Sequence, residues 1–199
     1  DPRLTMVYWA ERMGLGLAYN RLILHRAEPF VVILHNDCFV PDDKIWLEKL
    51  AAAAAVFGMA FPMVRDNPEE YRLRGMGEAY PGCPPSCCYV VRRDVFGSLG
   101  GFDPAYEGCH FEDLDLFMRA QQLGCTMVRV KDVEVFHHRG MTRSAEVEGA
   151  NAAYKRNAEI YQGRWGALPT VSDIGLPELL GGVNGGTSIG AGQTSRHKP

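Results

Sequence analysis

The hydrophobic and polar positions of this chain alternate between helix-like and strand-like periods. Residues 4–9 alternate apolar with polar side chains and predict a strand, and residues 14–26 carry the apolar stripe of an amphipathic helix. Residues 30–34 (FVVIL) form a short, continuous apolar run that predicts a strand buried on both faces. A helix over residues 42–57 and a strand over residues 59–64 are predicted to follow.

The second half of the chain continues the same rhythm after residues 65–86, which are rich in proline and glycine and predict a long loop. The predicted elements are a strand at 88–91, a helical turn at 94–99, a helix at 111–123 ended by Gly124, strands at 127–130 and 133–136, and a helix at 151–161. Strands that alternate with helices predict an α/β fold with a mixed, mainly parallel sheet flanked by helices.

Composition narrows the class of protein. The chain has 199 residues, 46% of them hydrophobic and 23% charged, with a formal net charge of −3, which is typical of a globular domain and argues against a nucleic-acid partner. No apolar run is long enough to cross a bilayer, and no signal peptide is visible. The six cysteines lack paired zinc-binding spacing, so free, buried thiols in a reducing, cytoplasmic environment are the favoured interpretation.

Three groups of residues could carry chemistry. Asp37 follows a predicted buried strand, where an acid can hold a divalent cation or simply cap the next helix. Glu112, Asp113 and Asp115 lie at a predicted helix start, where exposed amides favour acids; one of them could also act as a general base. His137 ends a strand and is either a metal ligand or a surface histidine in a turn.

The order and context of these groups resemble the GT-A-fold inverting glycosyltransferases of the large family-2 type, which includes rhamnosyltransferases and O-antigen sugar transferases. The matching segments are residues 14–20 (GLGLAYN), 31–37 (VVILHND), 90–96 (VVRRDVF) with 100–103 (GGFD) and 112–120 (EDLDLFMRA), 135–140 (VFHHRG), and 157–166 (NAEIYQGRWG). The resemblance spans residues 4–166.

The resemblance implies metal-dependent, inverting transfer of a sugar from a nucleotide-sugar donor to an acceptor hydroxyl. Asp37 would hold Mn²⁺ or Mg²⁺ with His137 as a further ligand, and Asn36 and Asp37 would bind the donor. Asp113 would be the catalytic base, with Glu112 beside it in catalysis and in acceptor binding. Asp115 would also bind the acceptor, which could be a saccharide, a lipid-linked carrier or a protein. Peripheral membrane association and the oligomeric state are left open.

The chain also departs from the family pattern. The metal motif reads His35-Asn36-Asp37 and retains only its last acid, and the family's opening strands would precede residue 4. We therefore expect an N-terminally truncated GT-A domain over residues 1–166, an extension over 167–180 and a disordered tail rich in Gly, Ser and Thr over 181–199. The alternative is a catalytically inactive GT-A-like module that binds sugar or protein.

Overall fold

The computed structural model describes residues 6–11, 13–24, 26–66, 84–138, 147–167 and 178–179. Its elements, in chain order, are α1 (Leu15–Leu24), β1 (Phe30–Leu34), β2 (Cys38–Phe39), α2 (Ile45–Phe57), β3 (Gly58–Asp66), β4 (Cys88–Arg92), α3 (Arg93–Ser98), α4 (Glu112–Gln122), β5 (Thr126–His137), α5 (Val147–Trp165) and β6 (Glu178–Leu179). The predicted loop over residues 65–86 and the predicted tail over 181–199 lie mostly or wholly outside the described residues.

The strands form one mixed sheet in the order β1-β4-β3-β5-β2, with β6 also paired to β5. Strands β3 and β5, and β5 and β6, run parallel, whereas β1 with β4, β4 with β3, and β2 with β5 run antiparallel. The predicted α/β class with a mixed sheet is confirmed. Antiparallel pairings nevertheless outnumber parallel ones among the described strands, which the strand–helix rhythm did not indicate.

Alternating side chains of the central strands supply a core on each face of the sheet. On β4, Tyr89 and Val91 face the cluster formed with α1, α3, α4 and α5, while Cys88 and Val90 face α2. The alanine block of α2 brings this helix close to the sheet, since Ala54 is fully buried. The predicted helix and strand periods therefore produce three layers with the sheet in the middle.

The burial of strand β1 differs from its prediction. Val31 and Ile33 are buried, but Val32 and Leu34 are 37% and 39% exposed, so only one face of the strand is covered by the described residues. Its one described partner is β4, which places β1 at an edge of the described sheet. A continuous apolar run predicts burial on both faces only where a second layer covers the strand.

Three further predicted boundaries differ from the structure. Met6 to Trp9, predicted as strand, have no regular secondary structure. The strands predicted at 127–130 and 133–136 are two halves of β5, interrupted by a register shift opposite Pro62 and Met63 of β3. Proline has no N–H to donate to a ladder, which accounts for an irregularity at that point. Residues 178–179, predicted as part of an extension, add strand β6 to the sheet.

The end of α4 follows its prediction. Gly124 adopts a φ of 72°, a left-handed conformation that glycine tolerates best. The N–H of Gly124 donates to the Gln121 carbonyl at 3.0 Å, and the N–H of Cys125 donates to the Ala120 carbonyl at 2.9 Å. These bonds close the helix C-terminus. No helix among the described residues is both long and apolar enough to cross a membrane.

Candidate active site

Asp37 and His137 meet at one end of the sheet. Asp37 lies in the turn between β1 and β2, and His137 is the last residue of β5. One Asp37 carboxylate oxygen lies 3.2 Å from Nε2 of His137, and the two side chains are only 14% and 13% exposed. The Asp37 carbonyl also accepts a hydrogen bond from the backbone N–H of His138 at 2.8 Å. The structure thus brings together two residues that lie 100 positions apart in the sequence.

His35 completes this group, although it was not among the predicted metal ligands. His35, Asp37 and His137 each offer a ligand atom, and these atoms all lie within 4.8 Å of one another. Burial lowers the pKa of His35, opposed by the nearby carboxylates of Asp113 and Asp37. A lowered pKa favours the neutral imidazole, which is the form that ligates metals. The spacing of His35 and Asp37 across one strand-end turn was the signal for this residue.

Asn36, predicted to bind the donor, is exposed in the same turn. The N–H of Cys38 donates to the carbonyl of His35 at 3.2 Å, which closes the turn around Asn36. Its side chain is therefore accessible beside Asp37. No described contact tests its predicted role.

Glu112 and Asp113 open helix α4 next to this group. Glu112 is buried at 5% exposure and Asp113 is half-buried. The N–H of Leu114 donates to a carboxylate oxygen of Asp113 at 2.8 Å. Besides burial, both carboxylates raise the pKa of Tyr19, and that of Asp113 also acts on His35. Tyr19 thus lies within electrostatic reach of both acids, and His35 within that of Asp113.

A strained backbone segment lies directly before these acids. His110 and Phe111, directly before α4, have φ values of 89° and 67°, a region that residues with a side chain rarely adopt. Each such residue costs of order 1 kcal/mol or more, so the surrounding structure must hold it in place. Strain of this kind is concentrated at functional sites, which supports a site at the start of α4.

Asn157 of α5 holds that segment in place. Its side chain is fully buried. Its Nδ2 donates to the carbonyls of Glu107, Cys109 and His110 at 2.9, 3.2 and 2.9 Å, and its Oδ1 accepts from the N–H of Glu107 at 3.3 Å. Only the helix that contains Asn157 was predicted from the sequence, because nothing local indicates which loop such a residue contacts.

Tyr19 of α1 lies within electrostatic reach of both parts of the site, since Asp37 as well as the α4 acids act on it. Burial, followed by the negative charges of Glu112 and Asp113, raises the pKa of Tyr19 to about 12. The phenol therefore stays protonated near neutral pH and keeps an O–H donor at the site. Tyr19 was not among the predicted site residues.

Asp115, predicted to bind the acceptor, lies instead at the centre of a buried polar cluster. It has no exposed surface. One oxygen accepts from Nε of Arg119 at 2.7 Å; the other accepts from Arg164 at 2.7 Å, Trp165 Nε1 at 3.1 Å and the Tyr106 hydroxyl at 3.3 Å. These contacts engage both oxygens, so they give no support to a contact with an acceptor. They tie α4 to α5.

The matching segments 14–20 and 100–103 contact each other. Nδ2 of Asn20 donates to the carbonyl of Phe102 at 2.7 Å, and the N–H of Phe102 donates to Oδ1 of Asn20 at 2.8 Å. A Cβ on Gly16 would lie 2.9 Å from that of Phe102, so glycine allows this close approach. The two motifs thus form one packing unit beside the site.

Parts of this chain are similar in sequence to known proteins. No protein-family model matches the chain. The chain is 35% identical over 74 residues to the N-acetylglucosaminyl-diphospho-decaprenol L-rhamnosyltransferase of Mycobacterium tuberculosis, covering 37% of this chain and 24% of that protein. It is 36% identical over 61 residues to the O-antigen biosynthesis protein RfbC of Myxococcus xanthus, covering 31% of this chain and 5% of RfbC.

Among solved structures, the mannosyltransferase PcManGT of Pyrobaculum calidifontis in complex with GDP-Man and Mn²⁺ superposes with a TM-score of 0.57 and 18% identity. The superposition covers 83% of this chain and 48% of PcManGT. The chain therefore has the GT-A fold, and its predicted resemblance to family-2-type glycosyltransferases is confirmed. It spans about a quarter of the rhamnosyltransferase that it matches.

Proposed function

We propose that the protein transfers a sugar, with the help of a divalent metal, from a nucleotide-sugar donor to an acceptor hydroxyl with inversion at the anomeric carbon. The observation that carries the proposal is the meeting of two groups at one end of the sheet. His35, Asp37 and His137 lie within ligand distance of one another, and the Asp113 carboxylate acts electrostatically on His35. A cation site beside a carboxylate supplies the two functions that this reaction needs.

The metal ligands fit manganese better than magnesium. Asp37 offers a hard oxygen, whereas His35 and His137 offer imidazole nitrogens. Magnesium prefers an all-oxygen environment, while the later divalent ions accept nitrogen as well. When bound, the ion would offset the negative charge that develops on the departing nucleoside diphosphate. PcManGT binds GDP-Man together with Mn²⁺, which supports this choice.

The acids of α4 would act on the acceptor. Asp113 is half-buried beside Tyr19 and His35, and we assign it the role of base that removes the proton of the attacking hydroxyl. Glu112 would orient the acceptor, and the Tyr19 hydroxyl would donate to the bound sugars. Attack from the face opposite the leaving diphosphate inverts the anomeric carbon. Asn36, exposed beside Asp37, would contact the donor.

The acceptor proposed for the first assays is a lipid-linked saccharide. The rhamnosyltransferase that the chain resembles is named for a decaprenyl-diphosphate-linked acceptor. An acceptor of this kind would place the protein at the cytoplasmic face of a membrane as a peripheral protein. Free saccharide and protein acceptors are the alternatives that the same assay distinguishes.

The proposal is tested on the longest form of the protein that its gene encodes, with pooled nucleotide sugars, lipid-linked acceptor and Mn²⁺. Release of nucleoside diphosphate and mass analysis of the acceptor report transfer. We expect Asp113→Asn to lower the rate by at least about a hundredfold, the usual size of a general-base contribution, with Mn²⁺ binding unchanged by calorimetry. We expect Asp37→Ala to weaken Mn²⁺ binding and transfer together.

The matched control is Glu48→Gln, which removes an exposed acid on α2, and it should change neither measurement. If Asp113→Asn transfers sugar at an unchanged rate, the base assignment is wrong. If the full-length protein binds Mn²⁺ and nucleotide sugar but transfers nothing to any acceptor, the inactive binding module is the better description. The single acid of the His35-Asn36-Asp37 motif is the feature that favours this second function.

A further inference from the structure

Two cysteines lie beside the Asp37 group and take no part in the proposed reaction. Cys38 belongs to β2, and Cys87 precedes β4 in the turn that leads into the strand. Cys38 is half-buried and Cys87 is 2% exposed. The sulfurs of Cys38 and Cys87 and a ring nitrogen of His137 all lie within 4.8 Å of one another.

Backbone contacts hold this group together. Cys38 is the register partner of His137 in the antiparallel pair of β2 and β5. The Cys87 carbonyl accepts a hydrogen bond from the N–H of His35 at 2.8 Å and from the Cys38 thiol at 3.3 Å. Three segments distant in sequence are thereby fixed at one point of the sheet. A preorganised group of this kind is what distinguishes a metal site from thiols that merely lie nearby.

We propose that Cys38, Cys87 and His137 form a site for a thiophilic divalent ion, for which zinc is the natural candidate. Two thiolates and one imidazole are a common zinc ligand set, and the fourth position of the tetrahedron would be taken by water. On binding, each thiol releases its proton to solvent and its sulfur ligates the ion. Neither the cysteines nor the ion changes oxidation state.

The distances suit such an ion. With zinc–sulfur and zinc–nitrogen bonds of about 2.3 and 2.0 Å, tetrahedral donor atoms lie about 3.5–3.8 Å apart. The observed separations, none above 4.8 Å, therefore require a closure on the order of 1 Å, which side-chain rotation can supply. The softer sulfur ligands select zinc, whereas the carboxylate of Asp37 suits the harder ion proposed for catalysis.

His137 belongs to both groups of ligands. Two dications sharing one ring at this separation would repel each other, so we expect zinc to displace manganese and to inhibit the protein. This competition rests on the proposed function, whereas zinc binding itself does not. The thiol site would thus make the protein sensitive to free zinc.

Cobalt(II) is the spectroscopic probe of zinc sites, because thiolate ligands give it a sulfur-to-metal charge-transfer band. The protein is titrated with cobalt chloride under a phosphine reductant, and zinc chloride is then added to displace the cobalt. We expect the charge-transfer band together with the visible absorption of tetrahedral cobalt. Cys38→Ser and Cys87→Ser should each lose most of the charge-transfer intensity, as judged in variants whose circular dichroism is native.

Cys125→Ser is the matched control, since Cys125 is a half-buried free thiol that contacts the Phe57 carbonyl away from this group. It should keep the full band. Asp37→Ala should also keep the band while losing Mn²⁺ affinity, which separates failure of this proposal from failure of the proposed catalytic site. Absence of the band in the unaltered protein, or its survival in both cysteine variants, would overturn the proposal.

A second measurement needs no variant. Saturating zinc should protect Cys38, the half-buried thiol of the group, from alkylation in the unaltered protein, as located by peptide mass mapping, and should leave the half-buried Cys125 as reactive as before. Equal reactivity of Cys38 with and without zinc would contradict the proposal even if the serine variants fail to fold.

Discussion

Replacing Asn157 by alanine tests whether a buried amide on α5 holds the segment that delivers the proposed catalytic acids. The amide makes four contacts with residues 107–110, but its Nδ2 carries only two protons for three carbonyls. The contacts therefore amount to three hydrogen bonds. At about 1 kcal/mol each, they stabilise the fold by about 3 kcal/mol.

Two effects reduce that figure. Alanine is the better helix former, by about 0.5 kcal/mol. A released segment can also relax the positive φ angles of His110 and Phe111, which returns part of a strain of order 1 kcal/mol per residue. We expect Asn157→Ala to lower the free energy of unfolding by about 2 kcal/mol net, equivalent to a fall in Tm of about 4–8 °C for a chain of this length.

Urea denaturation followed by circular dichroism measures the change. Asn157→Asp should cost more than Asn157→Ala, because it turns an oxygen towards carbonyls that need a donor and buries a charge. Gln162→Ala, an exposed position on the same helix, is the control and should stay within about 0.5 kcal/mol of the parent. Amide hydrogen exchange at Glu107, whose N–H donates to Asn157, should speed up in the alanine variant.

The proposed role of Asn157 is refuted if Asn157→Ala costs less than about 1 kcal/mol with unchanged exchange at Glu107, because its hydrogen bonds would then be no stronger than those that water makes with the same groups. It is also refuted if the aspartate variant is as stable as the alanine variant. Under the proposed function, Asn157→Ala should slow transfer while Mn²⁺ binding at Asp37 stays the same, since only the α4 acids depend on this segment.

Three other perturbations have expected results. Gly101→Ala should lower the free energy of unfolding by about 1–3 kcal/mol, because the φ of Gly101 is +74° and a Cβ there would clash with the side-chain oxygen of Asn20 on α1. The control Gly97→Ala has open space around it and should be neutral or slightly stabilising. Asp115→Asn should cost about 1–3 kcal/mol, because it removes the counter-charge of the partly exposed Arg119 and Arg164 and leaves a buried amide among their donors. The surface acid Asp132→Asn should cost less than about 1 kcal/mol. The folded-state pKa of Tyr19 is about 12, above its ordinary value of 10.0. The protonated phenol therefore contributes its full stabilisation below pH 10, and this contribution is lost as the pH rises towards 12. Tyr19→Phe should remove that pH-dependent loss, as measured by denaturation below and above pH 10.

The elements were predictable where a local period decides them. The apolar run at 30–34 predicts β1 with its observed bounds, and the acids at 112–115 together with Gly124 bracket α4. The burial of β1 was not predictable, because the exposure of Val32 depends on which layer covers the strand rather than on the strand itself. Likewise, the continuity of β5 depends on Pro62 of another strand.

The residues of the candidate site also divide into those that were predicted from the sequence and those that were not. Asp37, His137 and Asp113 came from a resemblance in motif order, and the fold brings the first two to within 3.2 Å. Tyr19 was missed because its importance comes from burial and from charges on other elements, which no window of sequence contains. His35 did have a local signal, since it lies two positions before Asp37 in the same turn. The proximity of Cys87 to Cys38 is also a product of the fold, since they are 49 residues apart.

The contrast between Asp113 and Asp115 explains why a cluster of acids is ambiguous from sequence alone. Both stand in the first turn of α4, yet one is half-buried beside His35 and Tyr19, and the other is fully buried among hydrogen-bond donors. Residues two apart on a helix point in different directions, so a helix start can serve the site with one carboxylate and the core with another. The buried acid anchors α4 to α5, and α5 carries Asn157, which holds the segment before the proposed catalytic acids. The structural carboxylate of Asp115 thus helps to fix the position of the proposed catalytic carboxylate of Asp113.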